Sequence, residues 1–241
     1  MLKAVFFDLD GTLLPLDDKE FTKGYFSLLC KKLAPYGYNP EELTKVIWSG
    51  TKEMVINDGT KTNEEAFWQY FNNYYGENNI KDKGIFDSFY TEEFKQTKVF
   101  CKENPYARDI INFIKSHNIK VVLATNPLFP KVGVLTRLSF IGLNESDFDY
   151  MTTYHNSSFC KPNPKYYTEI MSKLNIQPDE VLMFGNNVLE DAVASKNAGI
   201  PKCYMVGEYI INSDNTFCNA KHINMDEIIT TIDKEIINYS K

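Results

Sequence analysis

Histidine is scarce in this chain: His117, His155 and His222 are scattered singletons, so no histidine metal cluster or triad is suggested and none is given a catalytic role. The five cysteines, Cys30, Cys101, Cys160, Cys203 and Cys218, are odd in number, widely spaced and without a Cys-x-x-Cys pair. That argues against a disulfide framework and against a zinc site. Cys160 stands beside Lys161, where a lowered pKa is conceivable, but a bystander thiol is the plainer reading. Basic charge is short too. Twenty-six Lys and Arg face 32 Asp and Glu, a net charge of −6, which argues against a nucleic-acid partner. No apolar run approaches membrane-spanning length, and the first residues pass directly into a strand-like segment that leaves no room for a cleavable leader. The expectation is a protein of the cytoplasm with no membrane partner.

What is present is enough for a sizeable core: 241 residues, 43% of them hydrophobic. Lys3 to Phe7 reads as a short buried strand. Helical periodicity alone follows, over roughly 18–35, 40–57, 63–75 and 82–98. From Pro105 strands and helices alternate: helix 105–117, strand 119–124, helix 130–139, strand 148–153, helix 164–174, strand 181–184, helix 188–198, strand 203–206 and helix 226–238. Such alternation predicts an α/β fold with a parallel sheet flanked by helices. Residues 1–14 and 104–241 would form that core, and 15–103 a smaller all-helical domain inserted after the first strand. Aromatic residues are dense in the insertion, among them Trp48, Phe67, Trp68, Tyr70, Phe71, Tyr74 and Tyr75. They are read mainly as the interior of a small helical bundle, and only secondarily as a substrate cage. Tyr74-Tyr75-Gly76 reads as a helix end.

The most informative stretch is Phe6-Phe7-Asp8-Leu9-Asp10-Gly11-Thr12-Leu13. An apolar strand ends in two carboxylates two residues apart, and Gly11 lets the chain turn away. In an open α/β sheet, ligands bind at the carboxyl ends of the strands. Two neighbouring acids have pKa values pushed apart, so one can serve as nucleophile or metal ligand while the other carries a proton. A plain Asp-Gly turn with a second, capping Asp is the competing reading.

The stretch resembles the first motif of the haloacid dehalogenase-like hydrolase superfamily, in which an aspartate nucleophile precedes an acid/base aspartate by two residues. Three further segments resemble the remaining motifs, in order. Val121-Val122-Leu123-Ala124-Thr125-Asn126 is similar to the second, Lys161-Pro162 to the third, and Phe184-Gly185-Asn186-Asn187-Val188-Leu189-Glu190-Asp191 to the fourth. The resemblance implies a Rossmann-like core with a helical cap between the first and second motifs. It further implies a Mg²⁺-dependent phosphatase that hydrolyses a small phosphorylated metabolite through an aspartyl-phosphate intermediate. Asp8 would attack and Asp10 would act as general acid, then base. Thr125, Asn126 and Lys161 would bind the phosphoryl oxygens, and Asp8, the Asp10 carbonyl, Asn186 and Asp191 would hold the metal. Superfamily dehalogenases lack an acid at the position of Asp10, which favours phosphorus chemistry.

These roles have physical reasons beside the resemblance. Phosphoryl transfer spreads charge over equatorial oxygens and needs hydroxyls, amides and cations in place. Taken singly, Thr125-Asn126 is equally a helix cap and Lys161 equally a loop lysine. Asn186 departs from the family, which usually has Asp there. An amide oxygen is a weaker Mg²⁺ ligand than a carboxylate, and Glu190 has the wrong spacing to replace it. Asn186→Asp is therefore expected to lower the Mg²⁺ requirement. Ser49-Gly50-Thr51-Lys52 interrupts the second helical pattern with a glycine and makes Lys52 a candidate to meet an anionic leaving group, with a solvated helix lysine the favoured reading. Hinges are expected near Pro15 and Asn104-Pro105. A phosphomutase of the same fold, or a weakly active or non-catalytic binding protein motivated by Asn186, are the other readings.

Overall fold

The computed structural model describes residues 1–76 and 80–239. Its strands are β1 (Ala4–Phe7), β2 (Lys120–Leu123), β3 (Tyr150–Met151), β4 (Val181–Gly185), β5 (Lys202–Val206) and β6 (Lys221–Ile223). They form one sheet in the order β3-β2-β1-β4-β5-β6, with every pair parallel. β1 is central: Ala4 pairs with Lys120 on one side and Val181 on the other, and Phe7 with Leu123 and Phe184. All four of its residues are fully buried, as a strand covered on both faces requires. Val5, Phe7, Leu123, Leu182 and Phe184 join one core layer, while Ala4, Phe6, Val122, Val181 and Met183 face the opposite one.

Helices cover both faces. α5 (Ala107–Ser116), α6 (Lys131–Phe140) and α9 (Ile228–Asn238) contribute Ile110, Ile114, Val134, Leu138, Ile228 and Ile232 to the first layer. α7 (Lys165–Leu174) and α8 (Ala194–Asn197) contribute Tyr166, Tyr167, Ile170 and Ala194 to the second. Because all strands run the same way, the ends of β1, β2 and β4 meet on one edge. The strand order reverses between β1 and β4, the place where open α/β sheets form a ligand crevice.

The segment between β1 and α5 is helical: α1 (Asp18–Leu33), α2 (Pro40–Val55), α3 (Asn63–Tyr75), α4 (Ile80–Thr91) and a 3₁₀ stretch, Glu93–Phe100. Local chemistry starts these helices. Asp17 caps α1 by accepting from the amides of Lys19 and Glu20, Asn39 caps α2 ahead of Pro40, and Thr62 and Glu65 form a reciprocal box at α3. Phe71, Phe89 and Phe94 fill the interior. The fold is thus a parallel sheet flanked by helices with a helical cap.

Several expected elements differ. α2 runs unbroken through Gly50, where a Cβ would lie 2.8 Å from the Phe67 ring, so this glycine serves close helix approach and not a loop. α4 ends at Thr91, whose hydroxyl donates back to the Ser88 carbonyl, and Glu92 leaves helical geometry. Phe94 and Thr97 are then buried three residues apart, the 3₁₀ period. β6 was not expected. The helix expected over 188–198 begins as a π-helical stretch, Val188–Val193.

Candidate active site

Asp8 extends β1 by one residue, its amide donating to the Phe184 carbonyl at 2.9 Å, and its side chain is buried. Gly11 follows with φ +78°, a left-handed conformation that favours glycine, and a Cβ there would stand 2.2 Å from Asn186 Nδ2. The turn therefore depends on glycine twice, for its backbone and for the approach of Asn186.

Lys161, fully buried ahead of α7, bridges two carboxylates: its Nζ lies 2.8 Å from Asp8 Oδ1 and 2.7 Å from Asp191 Oδ1. Burial works against its charge, but Asp191 and Asp8 outweigh it and hold the ammonium well above its ordinary range. Burial pushes the Asp8 carboxyl up, with Lys161 pulling it back. Asp191 Oδ2 accepts the backbone amides of Asn186 at 3.0 Å and Asn187 at 2.9 Å. The first, third and fourth sequence motifs are thereby joined in one buried network.

Thr125 and Asn126 close the same edge from the end of β2. The Thr125 carbonyl accepts from Thr152 Oγ1 at 2.6 Å and from the Tyr166 hydroxyl at 2.8 Å, which fixes the loop. Asn126 Nδ2 donates to Glu190 Oε2 at 3.0 Å, while Asn126 Oδ1 is buried and has no hydrogen-bond partner among the described residues. Burial raises the Glu190 carboxyl to about 7, against the pull of Lys161.

Asp10 has its ion pair outside that network. Its Oδ2 pairs with Nη1 of Arg137, a fully buried side chain of α6 whose guanidinium lies 4.3 Å over the Phe129 ring. Asp10 Oδ1 and Arg137 Nη2 are both buried without hydrogen-bond partners among the described residues. Sequence reasoning missed Arg137. The available signal was an arginine inside the apolar run Val134-Leu135-Thr136-Arg137-Leu138, since a buried charge demands a partner.

Thr12 was missed as well. Its buried hydroxyl lies 3.2 Å from Asn186 Oδ1 and 3.4 Å from Asp8 Oδ2, placing those two oxygens on one side of the site. Asn186 Nδ2 donates to the Tyr209 carbonyl at 2.8 Å, which fixes the amide's orientation. Among the described residues, no three acidic, thiol or imidazole side chains converge as a metal cage. The donor set around Thr12 is instead hard oxygen, Asp8 Oδ2 and Asn186 Oδ1, with the Asp191 carboxylate lining the same cavity. That chemistry fits a small oxygen-seeking divalent cation, with water completing its shell.

Lys52 is a solvated helix lysine, exposed on α2, and not the substrate contact offered as the other reading, while Thr51 beside it lines the cavity over the strand ends. The unbroken helix explains this, because adjacent helical residues point about 100° apart. The cavity holds about 330 Å³ between the sheet edge and the helical segment, and Asp8, Asp10, Thr125, Asn126, Asn186 and Asp191 all reach it.

A model of the haloacid dehalogenase-like hydrolase family matches residues 2–199. The chain belongs to this family. As a haloacid dehalogenase-like hydrolase it is 29% identical over 207 residues to the phosphorylated carbohydrates phosphatase of Thermotoga maritima, covering 85% of each chain. It is 24% identical over 258 residues to the glyceraldehyde 3-phosphate phosphatase of Methanothermobacter thermautotrophicus, covering 98% of this chain and 97% of that one. The fold is similar to the crystal structure of a HAD phosphatase from Thermococcus onnurineus, with TM-score 0.60, 17% identity and coverage of 96% and 98%. The hydrolase has phosphatase relatives along nearly its whole length, and no helix among its described residues is long and apolar enough to cross a membrane.

Proposed function

We propose that this hydrolase is a Mg²⁺-dependent phosphatase that cleaves monoesters of small phosphorylated metabolites through an aspartyl-phosphate on Asp8, with residues 15–103 as its cap. The observation that carries the reading is the buried Asp8–Lys161–Asp191 bridge at the sheet's switch point, which sets a carboxylate nucleophile beside a fixed cation. An Asp8 oxygen attacks phosphorus as the bond to the ester oxygen breaks. Lys161, Thr125 and the Asn126 amide hold the phosphoryl oxygens. Asp10, on leaving Arg137, takes up a proton from solvent and gives it to the departing oxygen, then takes one from the water that attacks phosphorus and frees Asp8. Asp8, the Asp10 carbonyl, Asn186 and Asp191 would hold Mg²⁺, which when bound neutralises charge between nucleophile and phosphate.

Asn186 had motivated a non-catalytic reading. Its bond to the Tyr209 carbonyl gives an amide at this position a task of its own, independent of lost activity. The test is hydrolysis of 4-nitrophenyl phosphate with and without Mg²⁺, in the wild type and in Asp8→Asn. Metal-dependent turnover abolished by the substitution supports the reading; turnover without metal, or surviving in Asp8→Asn, overturns it.

A further inference from the structure

We propose that the alcohol released by this enzyme is a neutral, ring-bearing one, so that its substrates are phosphate monoesters of uncharged aromatic alcohols and not esters carrying a second anionic group. The inference rests on the phosphatase reading and specifies the leaving-group half of the same cavity. In the hydrolysis, the phosphorus–oxygen bond to the alcohol breaks, the oxygen of water ends on phosphate, and the alcohol keeps a proton.

The wall opposite the strand ends is the observation. Phe21, Tyr25, Trp48, Phe67 and Trp68 of the helical segment line the cavity there, together with aliphatic side chains. No lysine, arginine or histidine of the described residues lines the cavity, whereas Asp18 and Asp87 of the helical segment do, with Glu190 at the strand ends. A second anion on the leaving group would enter this wall without a cationic partner and beside carboxylates, which selects against it. The hydroxyls there are uncharged donors that cannot balance a second negative charge, and Tyr25 and Tyr90 already spend one of theirs on each other, at 2.9 Å. A flat ring meets no such penalty and gains offset or edge contacts with the aromatic wall.

Trp48 adds a feature that packing leaves unexplained. It lines the cavity yet is 53% exposed, with its ring 5.4 Å from that of Phe26. A large aromatic left half in water at the rim is suited to stacking on a ring as it arrives.

The test compares esters of unactivated primary alcohols, so that leaving-group acidity does not decide the outcome. With the full chain and Mg²⁺, 2-phenylethyl phosphate is expected to exceed ethyl phosphate in kcat/KM by at least about tenfold, the scale of burying one phenyl ring, and to exceed phosphoglycolate by more. Equal values, or a preference for phosphoglycolate, overturn the proposal. Thr51→Lys places a cation in the wall and should move the phenylethyl-to-glycolate ratio at least about tenfold toward the anion; an unmoved ratio also counts against it. If no ester is hydrolysed, 4-nitrophenyl phosphate included, the phosphatase reading fails by itself. Titration with 2-phenylethanol, followed by tryptophan fluorescence, then decides the present inference: saturable quenching supports it, and no saturable change overturns it.

Discussion

Replacing Asn186 with Asp tests the reading of the fourth motif most directly, because the substitution restores the family's usual acid while breaking a contact of this chain. Asn186 Nδ2 donates to the Tyr209 carbonyl, and the neighbouring backbone is joined to the same segment by Ile211 N to Asn186 O at 2.8 Å and Val188 N to Ile211 O at 2.9 Å. A carboxylate cannot donate, so one hydrogen bond is lost and a carbonyl is left facing an anion, about 1–3 kcal/mol. The new charge also joins Asp8 and Asp191 with Lys161 as the bridging cation, adding on the order of 1 kcal/mol at the effective dielectric of protein sites. Together the metal-free protein should lose about 2–4 kcal/mol. For a chain of 241 residues that is a fall in Tm of roughly 4–8 °C. Calorimetry in chelator and in saturating Mg²⁺ is the assay, and the ion should restore more Tm in Asn186→Asp than in wild type while half-maximal activity needs less of it. A chelator-treated variant that melts within about 2 °C of wild type would refute the tether. An unchanged Mg²⁺ requirement would remove Asn186 from the metal's surroundings.

Lys161→Met strips the bridge from two buried carboxylates and should cost the metal-free protein about 3–5 kcal/mol as well as its activity; melting and turnover check it, and a wild-type Tm counts against the bridge. Arg137→Met and Asp10→Asn should each destabilise, while the double variant recovers part of the loss; additive values in a double-mutant cycle would deny the pair. Glu190 is raised by burial to about 7, so the folded state holds its proton more tightly than the unfolded chain does. Its stabilisation is full below about 4.5 and is lost as pH rises through about 7. Glu190→Gln should remove on the order of 2 kcal/mol of that alkaline loss, allowing for partial exposure, as read by urea melts across this range.

The parts legible in the sequence were those with one dominant signal. β1, β2 and β4 are short apolar runs buried on both faces, so their existence and the acid or amide residues at their ends could be read directly. β6 could not: its Lys221 and His222 are exposed, and only Ile223 is buried. The π stretch at Val188–Val193 and the 3₁₀ stretch at Glu93–Phe100 were smoothed into helices because a few residues barely separate their periods from 3.6. In the site, residues sharing a motif were visible, whereas the meeting of Thr12 with Asn186 and of Arg137 with Asp10 depends on tertiary contacts between distant segments. Aromatic density in the cap was also ambiguous, since the same composition builds Phe71 into the interior and Trp48 into the cavity rim.

The start of α3 carries a consequence for turnover. Its Asn63 amide donates to the Ser157 carbonyl at 2.8 Å and its Glu64 amide to the Tyr154 carbonyl at 2.9 Å, while the linkers pair separately through Lys102 N to Pro15 O at 2.8 Å. The cap is therefore latched at a point away from its two linkers. Swinging it on those linkers requires both α3 bonds to part, at about 0.5–1.5 kcal/mol each. Under the proposed phosphatase reading, any opening of the cap for product release would have to break both bonds, so substitutions that weaken them are expected to raise a release-limited turnover rate.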